Sequence, residues 1–279
     1  MKGILISIIY VFVSCLILLI GKYIFNKTSP FKAEDQIKEK NPVPIIAFSG
    51  YMLGLTLILA GAFLGNAQRL FRYDLLLYVC YALLGLVLMN LSTIAADKLF
   101  LSKFSSAKEM IEDKNIGTAA VHFGVYLATG LIIAGCVTGD YGGIVSTLIY
   151  YVLGMVFLFI FIKLYDLITP YSIHDEIEKD NFAAGIALGG NIIAIGIILM
   201  KATLGDVSDW HRNFILYFID LASIILLVPS VRYILGNFII RNINNEIKAN
   251  NVSAGITEFV TIVCFAVLIF FMVDFGAFV

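Results

Sequence analysis

The sequence predicts an all-helical, polytopic membrane protein: eight transmembrane helices arranged as two parallel four-helix repeats, each built from two helix hairpins. Three observations carry this. Sixty per cent of the 279 residues are apolar and only 14% are Asp, Glu, Lys or Arg, against about 25% in a soluble domain. Apolar runs near the roughly 20 residues that a helix needs to cross the hydrocarbon core recur along the whole chain. The chain also repeats itself at a nearly constant spacing. This composition excludes a soluble enzyme and a disordered chain. Nineteen basic residues against 20 acidic ones leave no net field for an anionic polymer, so a nucleic-acid partner is excluded too.

The spans lie near 3–25, 43–64, 74–99, 116–137, 143–168, 182–204, 213–239 and 253–277. Each is continuously apolar instead of alternating, which makes it a helix and not a barrel strand. The first resembles a signal peptide, because Lys2 precedes an apolar run. That run continues from Ile4 to Ile20 with no small-residue cleavage site, so it reads as a retained helix. The second begins after Asn41-Pro42, a good cap followed by a residue suited to the first turn.

Eight spans put both termini on one side, and the loop charges choose it. Loops after the odd-numbered spans hold fourteen Lys and Arg, including Lys38, Lys40, Lys108, Lys114 and Lys179. The opposite loops hold Lys2, Arg69, Arg72, Lys201 and Arg212. The positive-inside rule then predicts a cell inner membrane location with both termini outside the cytoplasm. The four cysteines, Cys15, Cys80, Cys136 and Cys264, form no Cys-x-x-Cys pair and read as small packing residues.

Residues 23–66 align with 163–206 at a shift of 140, matching Pro30, Asp35, Ile37, Asn41, Gly50 and Gly65 to Pro170, Asp175, Ile177, Asn181, Gly190 and Gly205. Residues 111–123 align with 247–259 at a shift of 136. The repeats are 1–140 and 141–279. Within them a quarter unit shows as Ile, three residues, then Asn: Ile37/Asn41, Ile111/Asn115, Ile177/Asn181 and Ile247/Asn251. Helix capping explains these four asparagines, because the side chain accepts from an orphan N–H of the first turn. A ring of four polar groups around an inner mouth is the alternative. Each repeat holds an even number of spans, so the halves share one orientation, and a pseudo-twofold axis along the membrane normal is expected.

The stretch Lys163-Leu164-Tyr165-Asp166-Leu167-Ile168-Thr169-Pro170-Tyr171, followed by Glu176-Ile177 and Asn181-Phe182-Ala183-Ala184-Gly185, resembles the YjfL-like bacterial inner-membrane family. That family is catalogued as domain of unknown function three hundred and fifty. Pro30, Ile46-Ala47-Phe48-Ser49-Gly50 and Gly135-Cys136-Val137-Thr138-Gly139 extend the resemblance over nearly the whole chain as two tandem copies. The first copy departs from the second: Asn26 stands where the second has Asp166. The resemblance implies a four-helix inner-membrane module used twice. It implies no activity, catalytic residue or cofactor.

Ionisable residues inside spans are costly and mark candidate functional positions. His122 and Glu258 each lie seven residues after a capping asparagine, about 10 Å into the core. They occupy equivalent positions in the two halves and would meet if their helices lined the axis. A proton-sensitive gate and a polar clamp are both open readings of the pair. Asp97 and Arg232 face the inner ends of the third and seventh spans. Asp220 lies two turns into the seventh, within reach of Lys201. Asp166 sits beside Tyr165 at an inner helix end.

Gly50/Gly54, Gly61/Gly65 and Gly185/Gly189 place small residues on one helix face and predict close packing. No phosphate-binding loop, catalytic triad or metal-ligand spacing is present in the sequence, so no enzyme, metal or cofactor is expected. Two functions remain: a small-ion channel or transporter with a pathway near the pseudo-twofold axis, which the sequence favours, and a non-transporting scaffold whose charged cytoplasmic loops dock a partner protein. Polar residues facing a hydrated interior favour the first. Dry packing favours the second.

Overall fold

The structure, a computed structural model, describes residues 2–65, 70–99, 106–138, 143–204, 210–234 and 239–272. Twelve helices follow in order among them. Eight are long: α1 (Lys2–Thr28), α3 (Val43–Leu64), α4 (Phe71–Leu99), α6 (Ile116–Thr138), α7 (Gly143–Ile168), α9 (Phe182–Thr203), α10 (Trp210–Ile234) and α12 (Val252–Met272). Four are short: α2 (Ala33–Lys38), α5 (Ser106–Ile111), α8 (Ile173–Glu178) and α11 (Ile243–Lys248). Seven of the long helices are long and apolar enough to cross a membrane. The other, α10, covers the position of the seventh expected span and carries Pro229 inside it.

Each short helix precedes one long helix, and the same turn joins them. Lys40, Lys114, Asp180 and Asn250 all take left-handed φ angles of 56–60°. The next residue is always the repeated asparagine. Its Oδ1 accepts from a backbone N–H of the following first turn: Val43 at 3.2 Å, Thr118 at 3.0 Å, Ala184 at 2.9 Å and Ser253 at 3.2 Å for Asn41, Asn115, Asn181 and Asn251. In the first quarter Pro42 takes the N-cap position, and Asn41 bonds the first helical N–H from one residue further back.

The same side chains do a second job that the spacing did not announce. Each Nδ2 donates back to an acceptor on its own short helix: Gln36, Glu109, Glu176 and Glu246. In three quarters it also reaches the end of the next short helix. Asn41 donates to the Met110 carbonyl at 3.3 Å, Asn115 to Ile177 at 2.6 Å and Asn181 to Ile247 at 2.9 Å. The four asparagines therefore form a line of head-to-tail links and not a ring.

The long helices pack in the same sense. α3, α6, α9 and α12 stand in a row, each touching the next. α4 backs the α3/α6 junction, α7 backs α6/α9, and α10 backs α9/α12, while α1 covers the outer end at α3. Glycines set the spacing. A Cβ on Gly50 would lie 2.7 Å from Phe123 Cα, one on Gly61 2.6 Å from the Ala134 carbonyl oxygen, and one on Gly196 2.6 Å from Ala128 Cα. The register rises together along both partners, so neighbouring helices in the row run parallel, as the even span count requires.

One expectation is overturned. A pseudo-twofold axis would exchange α3 with α9 and α6 with α12 by turning the row end for end, but such a turn pairs α3 with α12 instead. The copies are related by a shift along the row, with α6/α9 as a third junction of the same kind. α6 joins both cores: Ala119, Tyr126 and Ile133 belong to the first-half cluster, and Val121, Val125 and Ile132 to the second.

Candidate functional site

The second half carries a buried polar cluster two turns into α12. Gly255 lets α12 approach α9 closely, since its Cβ would stand 2.6 Å from the Ala183 carbonyl oxygen. One turn later Glu258, 1% exposed, reaches α9 and α7. Its Oε1 accepts from Tyr165 Oη at 2.8 Å and from Asn191 Nδ2 at 2.9 Å. Asn191 also donates to the Ala187 carbonyl at 2.8 Å, which ties the cluster to the α9 backbone. Three helices thus converge on one carboxyl oxygen. In a low-dielectric interior, those donors offset part of the cost of burying the acid.

The first half fills the equivalent space differently. The shifts of 140 and 136 place Phe25 at Tyr165, Tyr51 at Asn191, His122 at Glu258 and Tyr126 at Ile262. His122 is buried and its ring lies 5.7 Å from that of Tyr126. Phe25 and Tyr51 are 4.9 Å apart, and Tyr51 and Tyr126 are 6.2 Å apart. Tyr51 Oη donates to the Gly21 carbonyl at 3.2 Å and accepts from Asn90 Nδ2 at 3.2 Å. An aromatic box stands where the other copy has a hydrogen-bonded acid. His122 and Glu258 therefore each sit within their own half, on α6 and α12, with α9 between those helices in the row. The shift relation separates them.

The other sequence candidates resolve as follows. Lys201 Nζ donates to Asp220 Oδ1 at 2.8 Å, closing an ion pair between α9 and α10 with both side chains largely enclosed. Asp166 Oδ1 accepts from Ile173 N–H at 3.4 Å at the start of α8. Asn26 does the same for Ala33 N–H at 3.1 Å at the start of α2. The departure between the copies is thus a swap of one capping side chain for another. The side chains of Asp97 and Arg232 lie outside the described residues. α9 runs unbroken through Gly189-Gly190-Asn191, with the glycines against Ala120 and Phe259. Sequence reasoning missed Tyr165 and Asn191 as partners of Glu258. An Asn inside an apolar helix was the available signal.

On the face of the row away from the backing helices, α3, α6, α9 and α12 line a shallow groove of about 360 Å³. Its walls include Ile46, Phe123, Ile186, Ile193 and Phe259, all apolar. Where each short helix turns into the long helix after it, the triplets Lys38-Glu39-Lys40, Glu112-Asp113-Lys114, Glu178-Lys179-Asp180 and Lys248-Ala249-Asn250 stand exposed, one per quarter.

Comparison with known proteins gives the chain its relatives. The family described as Domain of Unknown Function (DUF350) matches it twice, over residues 1–137 and 140–273. A UPF0719 transmembrane protein of Aquifex aeolicus is 27% identical over 271 residues, covering 92% of this chain and 93% of that protein. The UPF0719 transmembrane protein YshE of Bacillus subtilis is 26% identical over 113 residues, covering 40% of this chain and 80% of its own length. No solved structure matches.

Proposed function

The chain belongs to the DUF350 family, as two tandem copies in one multi-pass membrane protein, and on that premise we propose that it is a non-transporting membrane scaffold. Its repeated inner ledge of charged turns docks a partner protein of mixed charge. The observation that carries this reading is the burial of Glu258 among helix-borne donors. Its Oε1 is closed by donors from two neighbouring helices at 1% exposure. The Lys201–Asp220 pair, closed at 2.8 Å, and the apolar groove beside the row support the same reading. A conducting path instead needs polar groups along a hydrated route.

In this reading α10 also crosses, which makes eight crossings, the short helices lie at the cytoplasmic surface of the inner membrane, and both termini lie outside. The lysine distribution supports that orientation. The exposed triplets then form four teeth about 8–10 Å apart, the spacing of packed helices. A partner surface with a matching repeat would engage them together.

A second reading, a proton-sensitive ion pathway, is favoured by the presence of an ionisable Glu258 within a span. Ion flux into liposomes containing the purified protein separates the two, measured from about pH 5 to 8, where a histidine titrates. The scaffold reading expects flux equal to that of empty liposomes. A pH-dependent flux that Glu258→Gln abolishes while the protein stays folded overturns it.

A further inference from the structure

The row is finished inside and unfinished at its ends. At each internal junction a buried residue's carbonyl receives the neighbour's asparagine: Met110, 2% exposed, at the first, and the isoleucines Ile177 and Ile247, 3% and 0% exposed, at the other two. Their first-quarter equivalent, Ile37, is 62% exposed. At the other end Asn251 caps α12 and binds Glu246 like its counterparts, yet it stands exposed beyond the last junction.

The helices repeat this asymmetry. At the α6/α9 junction, Thr147 of α7 donates to the Cys136 carbonyl at 3.2 Å, and Ile132 of α6 packs on Gly154. The α1 equivalents of Thr147 and Gly154 are Ser7 and Ser14. They line an open groove of about 330 Å³ between α1 and α3. The α12 equivalent of Ile132, which is fully buried, is Leu268, which is 44% exposed.

We propose that the occupant of this edge is a second copy of the chain. α12 of one copy packs against α1 and α3 of the next. Asn251 Nδ2 donates to the Ile37 carbonyl, and Leu268 fills the groove beside Ser14. Continuity with three junctions of the same geometry carries the assignment. The contact is heterologous, so copies add head to tail and form a closed ring or an open row, depending on the turn per copy. Ser49, Thr56 and Ser253 keep the facing stripes small where internal junctions have Gly189, Gly196 and Gly117. Ile45 and Val260 replace Gly185 and Gly124, so the helices stand further apart here than inside the chain. The junction between copies is therefore the weaker one and is the first to part in detergent. It forms whether or not the inner ledge binds a partner.

Cysteine crosslinking in membranes tests this on the full chain, with exposed Cys15, Cys80 and Cys264 changed to serine. Lys38→Cys and Asn251→Cys on one chain should give a disulfide ladder. Two co-expressed chains carrying one change each should give dimers, and either alone should give none. Adding Ile45→Trp should reduce the crosslink several-fold. Crosslinks between two copies of Cys-substituted position 251 overturn the head-to-tail geometry, and no 38–251 product overturns the assembly. Native mass spectrometry of the unsubstituted chain in lipid nanodiscs guards against a folding defect. Multiples of 30.8 kDa are expected, and single copies alone refute the proposal.

Discussion

Gly124→Ala should destabilise the protein by about 1–3 kcal/mol. Gly124 sits at the seam between the two copies. The Cβ it lacks would lie 2.7 Å from the Gly189 carbonyl oxygen and 2.9 Å from Gly189 Cα. Both atoms are backbone, so no side chain can swing aside. Ordinary contact begins near 3.4 Å, so α6 and α9 must part by about 0.7 Å or tilt. A gap of that size forfeits roughly a quarter to a half of each contact across the seam. At about 0.1–0.2 kcal/mol per atom pair and some 25 pairs, the loss is about 1–2 kcal/mol. Lipid tails are as apolar as the helix surface, so no hydrophobic term offsets it. Titration of the folded protein in mixed micelles with sodium dodecyl sulfate measures the change. Gly3→Ala, where nothing lies within 4 Å, is the matched control and should be neutral. A Gly124→Ala protein within about 0.5 kcal/mol of the parent, the range of a surface change, would refute close backbone contact as the bond between the copies.

Three further outcomes follow from named contacts. Asn181→Ala removes a cap and two links to the next quarter and should cost about 2–3 kcal/mol in the same titration, against about 1 kcal/mol or less for Asn251→Ala. Glu258→Leu leaves the Tyr165 and Asn191 donors buried without their acceptor and should cost about 2–4 kcal/mol, while Glu258→Gln keeps an acceptor oxygen and should stay within about 1 kcal/mol of the parent. The Lys22 ammonium, 2.7 Å from Glu34 and assisted by the Glu34 backbone N–H and Asn26, holds the Glu34 carboxyl down to about 2 from its usual 4.5. The folded-state value is depressed, so its contribution is complete above about pH 4.5 and is lost as pH falls toward 2. Melting temperatures across that range should drop less in Lys22→Met than in the parent.

Much of this architecture is legible in the sequence because lipid imposes long apolar helices and turns must be capped. The quarter repeat, the capping asparagines and the Lys201–Asp220 pair all follow from residue type and spacing. The order of the helices in space does not. In a bilayer every face of a span is apolar, so hydrophobic periodicity does not say which helix is whose neighbour. The glycine stripes at Gly185 and Gly189 announce close approach but name no partner. Parallel halves are compatible with a rotation or with a shift, and the order of helices in the row together with the one-way bonds from Asn41, Asn115 and Asn181 distinguishes them. Tyr165 was hidden because an aromatic ring at a helix end has a ready explanation at the membrane surface. Its hydroxyl instead turns inward to Glu258.

The serial row also bears on how the chain is made. Ribosomes deliver helices in order, and each hairpin here packs mainly on the hairpin synthesised just before it. α6 meets α3 before α9 exists, and α9 meets α6 before α12 does. Among the described residues, no early helix packs mainly on a distant late one. A nascent chain can thus fold by accretion, every arriving pair of spans finding a finished wall already in the bilayer. Truncation after any complete pair of spans should leave the preceding ones assembled.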